Sequence, residues 1–78
     1  MSTPETFLAM TERHIREAEE RIVAQEAIVS RLEADGHDRA AARAREILAT
    51  FRRTLEVAYE HRRLELEEIA VFKPAERK

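Results

Sequence analysis

Leu8, Ile15, Ile22 and Val29 recur every seven residues, and Thr11, Ala18, Gln25 and Leu32 follow each of them by three. This is the a/d stripe of a heptad repeat, and it predicts one helix from about Pro4 to Ala34, roughly 45 Å long at 1.5 Å per residue. Glu12, Glu19, Glu26 and Glu33 each follow a d position and draw an acidic line beside the apolar seam. Ser2 or Thr3 supplies an N-cap, and Pro4 fits the first helical position because no N–H is needed there. A second stripe runs through Ala41, Ala44, Leu48, Phe51, Leu55, Ala58, Leu66 and Ile69, predicting a helix from about Arg39 to Phe72. Lys73-Pro74 ends it, because the proline ring disfavours helix at the residue before it. Residues 73–78 then read as a frayed tail.

Between the stripes lies Gly36, the single glycine of the chain. Glycine takes the left-handed conformation that ends a helix without a Cβ penalty, and Asp38 is placed to cap the next turn. So short a connection forces the helices antiparallel. Closing the hairpin at Gly36 sets Leu32 beside Ala41, Val29 beside Ala44, Ile22 beside Phe51 and Ala18 beside Leu55. Large residues then face small ones near the turn, which allows close packing. Residues 39–53 carry five arginines against one glutamate and lie beside the acidic end of the first helix, which favours the same register.

The apolar positions exceed what one hairpin buries. Val23 and Ile28 lie off the first seam, and Val57, Leu64 and Val71 form a second line, again seven apart, on the other helix. A chain of 78 residues without cysteine has neither disulfides nor thiolate metal sites to compensate for a small core, which leaves oligomerisation. The expected fold is therefore all-α: one domain over residues 1–78, a long antiparallel hairpin dimerising into a four-helix bundle. The expected oligomer seam is Leu8, Ile15, Ile22, Val29, Leu32, Leu48, Phe51, Leu55, Leu66 and Ile69. Val57, Leu64 and Val71 form a candidate partner face, and a tetramer accounts for that line as well.

Gln25 and Arg62 stand in the stripe where Leu or Ile is expected. Polar seam residues often fix register or oligomer state at some cost in stability. The hairpin register brings Arg62 to Thr11 and Glu12, so an Arg62–Glu12 bridge is expected, with Glu65 as the alternative partner. The same register sets His14 near Tyr59, with His61 within a turn. His14 with Glu17, and His61 with Glu65, each share one helix face, but the Glu-x-x-His order of carboxylate-bridged bundles is absent and neither set holds enough inward carboxylates. No metal and no cofactor are expected. One glycine cannot make a phosphate loop, and no nucleophile–base–acid constellation is legible, so the chain does not read as an enzyme.

Charge is abundant and almost balanced, with a formal net charge of −2, which argues against generic attraction to nucleic acid or anionic lipid. No apolar run approaches the ~20 residues that span a bilayer, and Met1 to Glu5 lacks the basic start and apolar stretch of a secretory signal. A cytoplasmic location, without a membrane, is the expectation.

Two resemblances bear on function. Phe7-Leu8-Ala9-Met10-Thr11-Glu12-Arg13-His14-Ile15-Arg16-Glu17 resembles the phosphoacceptor box of histidine-kinase dimerisation hairpins. That likeness implies a dimeric hairpin with His14 exposed for phosphotransfer. Ile15 stands where the family has an acid, and Glu17-Ala18 replaces its Thr-Pro. More of the chain is similar to short bacterial helical-hairpin proteins of unassigned function, through His14-Ile15, Gln25, Ile28-Val29, Leu32, Gly36-His37-Asp38, Leu48, Phe51, Leu55 and His61-Arg62. This likeness implies a hairpin and supplies no activity. The function expected is a homo-oligomeric interaction module, an adaptor or regulator, pairing with itself or with another helical protein. The alternatives are a nucleic-acid-binding dimer using Arg39, Arg43, Arg45, Arg52 and Arg53, or a phosphoacceptor at His14.

Overall fold

The computed structural model describes residues 5–72, which form two helices, α1 (Phe7–Ala34) and α2 (Asp38–Phe72), packed against each other as a hairpin. Ser2, Thr3 and Pro4 and the tail 73–78 lie outside the described residues.

Helix α1 begins three residues later than the sequence pattern suggested. Thr6 is the N-cap, extended at φ −73° and ψ 164°, and its hydroxyl accepts from the Ala9 amide at 3.0 Å. Thr6 offers the same capping oxygen as Ser2 or Thr3, and it stands two residues before the first seam residue, Leu8. Glu5 then folds back and takes both Nε and Nη2 of Arg13 at 3.0 Å. That guanidinium holds the Glu5 carboxyl below its ordinary range.

The turn is a Schellman motif. Gly36, at φ +76°, donates to the Glu33 carbonyl at 3.1 Å, and His37 donates to the Leu32 carbonyl at 2.9 Å. Helix α2 starts at Asp38 rather than Arg39, and Ala41 closes its first bond onto the His37 carbonyl. Asp38 thus lies inside the first turn, where its charge complements the helix dipole, instead of capping from outside.

Packing follows the heptad stripe. The buried apolar residues are Ile15, Ala18, Val29, Ala41, Ala44 and Leu48, joined by the polar Thr11 and Gln25. Val29, Ala44 and Leu48 make the core cluster, with Ile22 and Leu32 packed onto it. Leu8, Phe51, Leu55 and Ala58 are half-buried along the same line. The alanines near the turn bring the two backbones close, as large-facing-small packing requires. Gln25 uses that closeness: its side-chain amide donates to the backbone carbonyl of Ala44 at 3.0 Å.

The seam does not extend to the far end of α2. Leu66 and Ile69 are 46% and 45% exposed in the hairpin. Leu66 stands on the flank, in step with Arg45, Arg52 and Tyr59, while Glu65 takes the seam position against Thr11. Ile69 lies near where α2, with 35 residues against 28, runs past the start of α1. The hairpin's smallest dimension is 13 Å, which is one helix thick.

Candidate interaction surface

The two helices meet along a narrow seam, and its two flanks differ in chemistry. On one flank Arg45 donates to Glu33 at 2.6 Å, Arg52 to Glu26 at 2.9 Å, and the Tyr59 hydroxyl to Glu19 at 2.8 Å. The donors climb α2 in steps of seven while the acceptors descend α1 in steps of seven, as an antiparallel heptad pair demands. The Glu19 carboxylate, accepting the Tyr59 proton, raises the tyrosine pKa above its ordinary value. The next step of the series pairs Glu12 with Leu66, and there the polar rungs end.

That ending accounts for a correction at Arg62. No Arg62–Glu12 bridge is present among the described residues, and Glu12 is exposed. Arg62 instead lies half-buried with its guanidinium 5.3 Å from the centre of the Tyr59 ring. The inward position passes to Glu65, whose Oε2 accepts from the Thr11 hydroxyl at 3.2 Å. Its other oxygen, Oε1, is buried with no partner. An unpaired buried carboxylate oxygen is costly, so this end of the seam is held less firmly than the turn end.

The opposite flank has no rungs. The hydrogen bonds that cross between the helices among the described residues run along the seam or the first flank. Exposed apolar side chains stand here among polar ones: Ile28 at 47%, Ile47 at 42%, Val57 at 54%, Leu64 at 48% and Val71 at 69%. Midway along it His14, Glu17, Arg21, Thr54, Val57, Ala58 and His61 line an open groove. Arg21 also lies 5.7 Å from the centre of the Phe51 ring. His14 therefore shares a groove with His61, as expected, while Tyr59 lies across the seam on the other flank. Arg13 takes Glu17, and Glu65 turns into the seam, so neither His/Glu pair gathers a ligand set. Among the described residues no group of three or more His, Cys, Asp or Glu side chains is arranged around a common point.

Of the basic stretch, Arg45 and Arg52 are paired with α1 glutamates and Arg53 donates to Thr50. Arg39 and Arg43 line a shallow groove at the turn with Leu32, His37, Asp38 and Ala40. The sequence reading singled out Val57, Leu64 and Val71 but not Ile47, the α2 residue that mirrors Ile28 across the hairpin. It also passed over the Tyr59–Glu19 rung. The signal for both was the seven-residue step carried from one helix to the other. Val23, 66% exposed, stands apart on the outer face of α1.

Among the described residues no helix is long and apolar enough to cross a membrane. Comparison with known proteins finds no matching family model, no similar curated protein and no similar solved structure.

Proposed function

We propose that this chain is a homo-oligomeric helical interaction module without catalytic chemistry, in which two hairpins pair through the rungless flank into a four-helix bundle. The observation that carries the reading is the line Ile28, Ile47, Val57, Leu64 and Val71 left exposed on a molecule one helix thick. Stable domains cover such a stripe with a second layer. The rungs on the other flank suit solvent, since exposed ion pairs gain little from burial and lose hydration.

As an adaptor or regulator in the cytoplasm, such a module works by exchange. Another helical protein with a matching heptad face can replace one hairpin of the bundle, because it meets the same seam. Sedimentation equilibrium across low micromolar concentrations tests the reading, with a dimer mass expected. A compact, cooperatively melting monomer at those concentrations overturns it.

A further inference from the structure

We infer that the two hairpins pair antiparallel, the turn of each lying against the open end of the other. This rests on the pairing proposed above and adds its orientation. The rungless flank of α2 carries two apolar grooves of opposite charge. At the turn, Leu32 and Ala40 are bordered by His37, Arg39 and Arg43, with Asp38 the single acid. At the open end, Leu64 and Val71 are bordered by Glu68, by Glu67, which pairs with Arg63, and by Glu65, whose carboxylate turns to Thr11. All the charged residues of both grooves except the half-buried Glu65 are exposed.

Two-fold pairing about a point near Thr54 lays the acidic groove of each chain on the basic groove of its partner, and does so twice. It also brings Leu64 of one chain towards Ile28 and Ile47 of the other, with Arg21, level with Thr54, near the axis. Pairing with both turns at the same end gathers the two basic grooves at one end and the two acidic grooves at the other. Like charges held together at an interface penalise that orientation.

The chain has no cysteine, so single spin labels can be placed cleanly. Labels on Ala40→Cys report the separation of the two turns, and labels on Thr54→Cys report the centre of the face. Both positions are exposed, and circular dichroism confirms that each variant remains helical. In the antiparallel dimer the Ala40 labels stand about 28 residues of helical rise apart, roughly 40 Å, while the Thr54 labels lie close together. A dimer whose Ala40 labels are as close as its Thr54 labels overturns the orientation and leaves the pairing standing. A dimer with distant Thr54 labels overturns the choice of face. No dimer by sedimentation at the labelling concentration overturns the pairing itself, and the orientation with it.

Discussion

The two flanks of the hairpin are built on one heptad repeat and one turn, yet they end in opposite states. On the first, Glu33, Glu26 and Glu19 meet Arg45, Arg52 and Tyr59, and every step is a polar contact that water can share. On the second the corresponding steps set Ile28 by Ile47, Arg21 by Thr54 and His14 by His61 with no hydrogen bond between them, and Val57 and Leu64 stand exposed beside that row. The difference shows how a thin helical pair assigns its surfaces. The flank with side-chain rungs is satisfied within one chain, and the flank without them leaves its apolar side chains uncovered.

The sharpest way to break this contrast is to charge the apolar flank. Val57→Glu with Leu64→Glu should weaken self-association at least 100-fold, since each buried apolar side chain contributes about 1.5–3 kcal/mol. Sedimentation equilibrium of the double variant reads this directly. Glu26→Gln with Arg52→Gln, on the other flank, should leave the same association constant unchanged. Equal effects from the two pairs would remove the distinction between the flanks.

The seam they share is next in size. Ala44→Leu forces a larger side chain between closely approached backbones and displaces the Gln25 bond, so it should cost about 1–3 kcal/mol in denaturant unfolding. Gly36→Ala should cost about 1–2 kcal/mol from the positive φ alone, because nothing lies within 4 Å of the added Cβ. A larger loss there would mean that the turn carries a contact beyond its backbone conformation.

The smallest effect lies in the last rung. The pKa of Tyr59, the single tyrosine of the chain, is raised chiefly by its bond to Glu19. A group raised in the folded state contributes stability that is fully present below its unfolded pKa and is lost as pH rises through the folded value. Ultraviolet titration should therefore show the tyrosine midpoint falling in Glu19→Gln, with the near-neutral melting temperature almost unmoved. A midpoint that stays put would remove this rung from the ladder.

Much of this arrangement was legible before any coordinates, because period and register are repeated signals. Four recurrences of Leu8, Ile15, Ile22 and Val29 cannot be reconciled with another face, and a lone Gly36 leaves one place to turn. The same two facts set Val29 on Ala44. What depended on a single choice was less legible. Three hydroxyl residues before Leu8 offer equivalent caps, and the difference between Thr3 and Thr6 moved the helix start. That shift in turn left Ile69 at the very start of α1, while Leu66 fell on the flank because Glu65 took the seam position. Arg62 had several carboxylates and an aromatic ring within reach at energies of tenths of a kcal/mol to about 1 kcal/mol, and sequence spacing cannot rank alternatives so close.

The mirrored geometry set by the Schellman turn also orders the chain in time. Glu33 and Arg45 are 12 residues apart along the backbone, Glu26 and Arg52 are 26 apart, and Glu19 and Tyr59 are 40 apart. Each further rung closes a longer loop, but only after the shorter loops before it have already spent most of the chain entropy. The geometry is that of a zipper fastened at Gly36, whose teeth are expected to part first beside the unpaired oxygen of Glu65.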